Sequence, residues 1–306
     1  MRILFMGTPD FAVASLKALV EAGHEICGVF TQPDKPKNRG HKLAFSPVKE
    51  YAITRDLDVY QPLKMRDGEA LGIVERLQPE LIVVAAYGKI LPEEILRAPK
   101  YGSINVHSSI LPKYRGAAPI NWAILNGETM TGVTIMYMAK ELDAGDIIRC
   151  AETEIDPDED ALMLTNRLAE LGAGALLQVV DDLAAGTAVR TPQEHEKNTY
   201  APMLDKTLSP MDFTKPAQVL HDQVRGLIPW PCATMELNGD TVKVCRTTVG
   251  EATDATLGSI VEAGKKGIAI ACGDGKLLWI LELQAQGGKR MDSRAYLAGH
   301  PIQVTK

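Results

Sequence analysis

The sequence predicts an α/β chain in which a doubly wound, mainly parallel sheet is followed by a smaller β-barrel-like domain. Two observations carry this reading. Apolar strand patterns alternate with helical patterns through the first part of the chain, and short strands broken by glycine-containing turns recur in the last part. Parallel strands need crossover connections, and right-handed crossovers lay helices on both faces of the sheet, so repeated strand–helix alternation implies a doubly wound core.

Taken in order, RILFMG reads as a buried strand stopping at Gly7, and Pro9 with Asp10 suits the first turn of a helix through FAVASLKALVEAG, which Gly23 ends. EICGVFT is a second apolar strand. A helical KEYAIT stretch, the short DVYQ, a helix near EALGIVERL and the strand LIVVAA follow. TGVTIMYMA and DIIRCAETEI continue the pattern, and a long helix from about Asp160 through Ala185 closes the first domain. The architecture is Rossmann-like. In it ligands sit beyond the carboxyl ends of the strands, so chemistry is expected after Met6, Thr31, Ala86 and His107.

Residues 187–212 lack apolar periodicity and carry three prolines, the composition of a linker or surface-hugging connection. Beyond a helix near PAQVLHDQVRGL, the strands ATMEL, TVKVC, GSIVEA, GIAIAC and LLWILELQ are separated by turns such as NGD and GDGK. They suggest a small barrel of the OB-like kind. The expected division is a first domain over 1–188, a linker over 189–206 and a C-terminal domain over 207–306.

Composition limits the function classes. Apolar residues at 45% and charged residues at 24% match an ordinary globular protein, and no stretch approaches the roughly 20 apolar residues of a membrane span. MRILFMGTPDF lacks the longer apolar run and cleavage site of a secretory signal. Five scattered cysteines form no CxxC pair, which argues against a disulfide framework and a structural zinc site and for a reduced, cytoplasmic compartment. The net charge of −6 gives no global hint of nucleic-acid binding, although residues 207–306 are the less acidic part. GTPD is neither a GxGxxG fingerprint nor a P-loop, so neither a nicotinamide cofactor nor ATP is expected.

Two stretches could carry chemistry: GSINVHSSILPKYRGAAPINWAI at 102–124 and GVTIMYMAKELDAGDII at 132–148. Alternate strand residues point the same way, so Asn105 and His107 share a face at a strand end and can address one substrate atom. Asp143 sits in a tight, glycine-containing loop from which a carboxylate can reach an imidazole. On spacing alone, each of the three also has an ordinary structural explanation. No second His or Cys lies at ligand spacing near them, so no metal is expected.

The run Asn105-Val106-His107-Ser108-Ser109-Ile110-Leu111-Pro112, with the later Leu142-Asp143-Ala144-Gly145, resembles the paired N-x-H-x-S-x-L-P and L-D-x-G motifs of the folate-dependent formyltransferases. The resemblance implies that Asn105, His107 and Asp143 are catalytic. It also implies that the backbone of Ser109, Ile110, Leu111 and Pro112 lines the folate pocket, and that 10-formyltetrahydrofolate is the donor. GTPDFA at 7–12, TQPDKPKNRGHKLAFSPVK at 31–49, LIPWPCA at 227–233 and LQAQGGKRM at 283–291 extend the likeness to nearly the whole chain. These segments resemble the branch of the family that formylates initiator methionyl-tRNA for translation. The alternative within the family is an amino-sugar N-formyltransferase with the same donor, and from another class a non-catalytic RNA-binding protein on the same fold.

Lys35, Lys37, Arg39, His41 and Lys42 form an irregular cationic loop between prolines and glycine. Such a loop can neutralise phosphates and order on an RNA acceptor stem, with Arg39 best suited to a forked contact. Lys197 and Lys206 of the linker, and Lys243, Arg246, Lys265, Lys266, Lys289 and Arg290 beyond it, are further candidates for the RNA backbone.

Overall fold

A computed structural model describes residues 1–37 and 42–304. The chain divides into two compact units. The first comprises Met1–Gly116, Thr131–Thr153 and Thr165–Tyr200; the second comprises Ala117–Met130, Glu154–Leu164 and Ala201–Lys306.

In the first unit, β1 (Arg2–Gly7) leads to α1 (Asp10–Glu21) and β2 (Glu25–Phe30). The short strands β3 (Lys35–Lys37) and β4 (Lys42–Ala44) pair antiparallel. α2 (Pro47–Thr54) starts at Ser46, whose hydroxyl accepts the Lys49 N–H at 3.1 Å, with proline at the first helical position. Then come β5 (Val59–Tyr60), α3 (Glu69–Leu77), β6 (Leu81–Ala85), α4 (Glu93–Arg97), β7 (Ser103–His107) and β8 (Arg115–Gly116). After α5 (Pro119–Leu125), β9 (Met130–Tyr137) and β10 (Ile147–Glu154) return to the sheet, and α6 (Ala161–Ala185) follows.

The sheet runs β10-β9-β7-β6-β1-β2-β5. β1, β2, β5, β6 and β7 are parallel, as the alternation predicts. β9 instead lies antiparallel to β7, with Ile104 opposite Tyr137 and His107 opposite Thr134. The sheet is thus mainly parallel, with an antiparallel pairing of β7 and β9 that a strand's own apolar pattern does not announce. β1 and β6 are buried along nearly their whole length, packed on one side by residues of α3 and α4 such as Val74, Leu77, Ile95 and Leu96. Strands covered on both faces read as continuous apolar runs, which is why these two were legible.

β11 (Tyr200–Ala201) falls where the chain passes from the first unit to the second, which holds α5, α7 (Ala217–Gly226), β12 (Ala233–Leu237), β13 (Asp240–Ala252), β14 (Ile260–Gly264), β15 (Gly267–Ala271), β16 (Lys276–Gln284), β17 (Met291–Asp292) and α8 (Ser293–Gly299). Its sheet has the order β12-β13-β16-β15-β14, with β17 also on β16, and every pairing is antiparallel. The smaller C-terminal β domain is thus an antiparallel sheet whose end strands β12 and β14 do not pair with each other among the described residues. Leu220 and Val224 of α7 and Tyr296 of α8 pack with Val242, Val244, Ile268, Leu278 and Ile280 as one core.

Segment 154–164 belongs with this unit through two buried polar residues of α7. His221 meets Thr247 Oγ1 at 2.9 Å through Nδ1 and donates from Nε2 to the Pro157 carbonyl at 3.0 Å. Arg225 pairs with Asp222 at 2.9 Å and donates to the Glu159 carbonyl at 3.2 Å. No helix among the described residues is long and apolar enough to cross a membrane, and all five cysteines are free thiols.

Candidate active site

β7 ends at the carboxyl edge of the parallel strands, where the topology places ligands. Asn105 lies between Val84 of β6 and Met136 of β9. It is half-buried, and no hydrogen bond to its amide occurs among the described residues, so its donors are available. His107, two residues on and therefore on the same face, is 5% exposed.

The imidazole is held from both sides. Nε2 lies 2.9 Å from the Tyr114 carbonyl; a carbonyl can only accept, so Nε2 carries a proton. Nδ1 then faces Asp143 Oδ2 at 3.7 Å. At that distance ring and carboxylate share no direct hydrogen bond, so a second proton, placed on Nδ1, is free for a substrate atom. The carboxylate is oriented in turn by the Gly116 N–H, which donates to Oδ2 at 2.9 Å. The sequence stretch Tyr114–Gly116 thus serves both groups through its backbone, one carbonyl to the histidine and one amide to the aspartate.

Asp143 has φ +49°, in the left-handed region that a residue with a side chain enters only when its surroundings hold it there. Gly145 follows. A Cβ on Gly145 would stand 1.9 Å from the Tyr137 carbonyl oxygen, so only glycine lets the loop close this tightly onto β9.

The Ser109–Pro112 turn is fixed to β9. The Thr134 hydroxyl donates to the Ser109 carbonyl at 2.7 Å and accepts the Leu111 N–H at 3.1 Å, while the Ser109 hydroxyl donates to the Lys113 carbonyl at 2.7 Å. Ser109 is 1% exposed, so its side chain and carbonyl serve the turn itself; Ile110 is half-buried.

Among the described residues, three of the clefts on this unit are lined by segments other than Ser109–Pro112. One of about 500 Å³ lies at the carboxyl ends of β1, β2 and β6, between Thr8–Asp10, Gln32–Pro33, Ala44–Pro47 and Ala86–Gly88. A second, of about 660 Å³, runs along Ser103 and Tyr137–Lys140, the start of the loop that carries Asp143. A third, of about 450 Å³, is bordered by Ile90–Glu94 and Lys140.

The stem of the cationic loop is anchored beside the first cleft. Lys49 Nζ contacts Asp34 Oδ2 at 2.5 Å and Gln61 Oε1 at 2.8 Å, and Gln61 donates to Asp34 Oδ1 at 2.8 Å. The hydrogen bond from Lys49 holds the Asp34 carboxyl below its ordinary range. Lys35 and Lys37 lie on β3 and Lys42 on β4; Arg39 and His41 lie outside the described residues. Among the other cations, Lys197 pairs with Glu194 at 2.5 Å, and Arg246 and Arg290 both meet Glu282, at 2.9 and 2.6 Å. Among the described residues no group of three or more His, Cys, Asp or Glu side chains is placed to hold a metal ion.

The sequence pointed to the three side chains but not to the groups that orient them. Tyr114 and Gly116 act through the backbone, and Thr134 acts from inside a strand, so none shows a side-chain pattern of its own.

Known proteins resemble this chain over nearly its whole length. Residues 1–180 match the formyl transferase family and residues 203–301 match the formyl transferase C-terminal domain. Among curated relatives, a methionyl-tRNA formyltransferase of Acetivibrio thermocellus is 48% identical over 99% of this chain and 97% of its own length. Those of Clostridioides difficile and Geobacter sulfurreducens are 47% and 46% identical, over 99% of this chain and 98% and 95% of theirs. Among solved structures, an N-formyltransferase from Helicobacter canadensis, in complex with folinic acid and dTDP-3-aminofucose, superposes with TM-score 0.70 at 20% identity, covering 91% of this chain and 98% of that one. HypX from Aquifex aeolicus in complex with tetrahydrofolic acid gives 0.66 at 19% identity, over 100% of this chain and 48% of that one. These two share the fold. With full-length relatives near half identity and both halves matched, the chain belongs to the methionyl-tRNA formyltransferase family.

Proposed function

We propose that this chain, acting in the cytoplasm, transfers the formyl group of 10-formyltetrahydrofolate to the amino group of initiator methionyl-tRNA, for translation initiation, with Asn105, His107 and Asp143 as the catalytic residues. The observation that carries the reading is the geometry of the trio: a free amide and an imidazole on one face of β7, with a carboxylate 3.7 Å from the ring nitrogen that the fold leaves unbonded.

The neutral amine attacks the formyl carbon, a C–N bond forms and the carbonyl becomes a tetrahedral oxyanion. The Asn105 amide and, when protonated, His107 Nδ1 donate to that oxygen. Donors placed where charge develops contribute about 3 to 4 kcal/mol each. Asp143 takes the proton that the attacking amine must lose, directly or through water, and the proton ends on the folate nitrogen as the bond from that nitrogen to the formyl carbon breaks. His107, held by the Tyr114 carbonyl, keeps one orientation throughout.

Two substrates must approach one carbon from different sides. The acceptor end of the tRNA enters by the 500 Å³ cleft, because the cationic loop springs from its rim at Pro33 and returns at Ala44. The donor then lies between the Ser109–Pro112 turn and the Asp143 loop, the two segments adjoining the catalytic groups. Residues 1–188 do the chemistry, and residues 207–306, past the 189–206 connection, add RNA-binding surface through cations such as Lys243, Lys265 and Lys289.

Incubation of the chain with labelled 10-formyltetrahydrofolate and, in competition, methionine-charged initiator tRNA and a nucleotide-linked amino sugar tests the acceptor. Label is expected on the tRNA; label on the sugar would replace this reading with its rival. Asn105→Ala is expected to fold normally and to lower kcat about 10² to 10³-fold, the loss typical of one oxyanion donor, measured under single-turnover conditions. Replacing Lys35, Lys37, Arg39 and Lys42 together by alanine is expected to weaken tRNA binding. It should also flatten the dependence of log K on log salt by roughly 0.7 to 0.9 per lost phosphate contact, read from binding isotherms at several salt concentrations.

A further inference from the structure

Residues 191–200, part of the stretch expected to be a connection, bond to the catalytic loop, to the start of β10 and to the Tyr114–Arg115 segment. Thr191 exchanges backbone hydrogen bonds with Ile147, at 2.8 and 2.9 Å. Gln193, 5% exposed, donates both amide hydrogens into the loop: one to the Asp143 carbonyl at 2.9 Å, the other to the Gly145 carbonyl at 2.8 Å. Its Oε1 accepts from Arg115 twice, at 3.1 Å from Nε and 2.6 Å from Nη2. Arg115 Nη2 also reaches His195 Nδ1 at 3.0 Å, and a guanidinium can only donate, so that imidazole nitrogen accepts. Thr199 completes the strap, accepting the Arg115 N–H on its carbonyl and the Tyr114 N–H on its hydroxyl, both at 2.8 Å.

We propose that Gln193, gripped by Arg115, is a positioning residue for formyl transfer: it clamps the Asp143–Gly145 backbone so that the Asp143 carboxylate faces His107. The clamp acts where the loop most needs holding. Asp143 has φ +49°, and a side-chain-bearing residue leaves that region unless its neighbours oppose it. Gln193 bonds the residue itself and the glycine two positions on, spanning the strained turn. The same Arg115 that grips Gln193 lies between Tyr114, whose carbonyl orients His107, and Gly116, whose amide orients Asp143. One clamp therefore ties the loop to the segment that carries both orienting groups, which fixes their mutual distance. A glutamine is the side chain suited to this place, because it offers two donors to two carbonyls and an acceptor to the guanidinium.

This inference rests on the formyl transfer proposed above, and its test separates the two. Gln193→Glu keeps an acceptor for Arg115 but has no hydrogens for the Asp143 and Gly145 carbonyls. Formyl transfer in a single turnover is expected to slow about 10²-fold, the usual cost of a displaced catalytic group, with KM for both substrates little changed. Exchange of the Gly116 amide, which bonds the Asp143 carboxylate, is expected to quicken about tenfold or more, while amides of Leu81–Ala85 and Ser103–His107 keep wild-type rates and report an intact sheet. Arg115→Lys, which keeps the cation and loses the fork, should show the same pair of changes at smaller size. A single-turnover rate within about twofold of wild type, or an unchanged Gly116 amide in both variants, overturns the clamp. If the wild-type chain itself transfers no formyl group to methionyl-tRNA, the functional reading fails, and the Gly116 amide still decides whether Gln193 positions Asp143.

Discussion

Replacing Asp143 by Asn is expected to lower kcat about 10³-fold while leaving the fold intact. The substitution keeps size and shape, and an amide oxygen can accept the Gly116 N–H as the carboxylate does at 2.9 Å. Two things are lost: the base that receives the amine's proton, and the negative charge 3.7 Å from His107 Nδ1 that attracts positive charge developing beside the ring. A positioned acid or base contributes about 10² to 10⁴-fold, so the combined loss falls well inside what single-turnover measurements resolve. The thermal midpoint should stay within a few degrees of wild type, because no buried polar group is left without a partner. A variant that turns over within tenfold of wild type would remove Asp143 from the chemistry.

Gly145→Ala is expected to damage both activity and stability. Its new methyl would stand 1.9 Å from the Tyr137 carbonyl oxygen and 2.9 Å from the carbonyl carbon, both backbone atoms of a sheet strand that cannot swing aside. The loop must therefore lift from β9, weakening the bond from Tyr137 N–H to the Asp146 carbonyl at 2.9 Å and the bonds from Gln193 to the Asp143 and Gly145 carbonyls. Overpacking of this kind costs about 1 to 3 kcal/mol, and moving Asp143 by about 1 Å costs about 10²-fold in rate. Urea midpoints and single-turnover rates measured on the same preparation should both fall. Wild-type values for both would show that the loop tolerates a Cβ and that its closeness to β9 is not what places the carboxylate.

What the sequence disclosed, and what it concealed, follows from the reach of the interactions. β1 and β6 are buried on both faces, so LFM and LIVVA read as continuous apolar runs and the parallel core was legible. The direction of β9 against β7 is set by tertiary pairing, which the strand's own composition does not encode. Segment 154–164 looks like a lead-in to α6, yet it packs with the second unit because His221 and Arg225, far along the chain, bond its carbonyls. At the site, the alternation of Asn105 and His107 on one strand was readable from spacing of two. Their partnership with Asp143 required the resemblance of two separated motifs, since nothing local links the two stretches. Gln193 was hidden altogether: it sits among residues without periodicity, and its role lies in hydrogen bonds to backbone carbonyls that any sequence would offer.

The most direct test is a crystal structure with a 10-formyl folate analogue that cannot release its formyl group. The account predicts the formyl oxygen within hydrogen-bonding distance, about 3 Å, of both the Asn105 amide and His107 Nδ1, with Asp143 beside the carbon's open face. A formyl group bound away from the end of β7, with those three side chains contacting only protein, would contradict it.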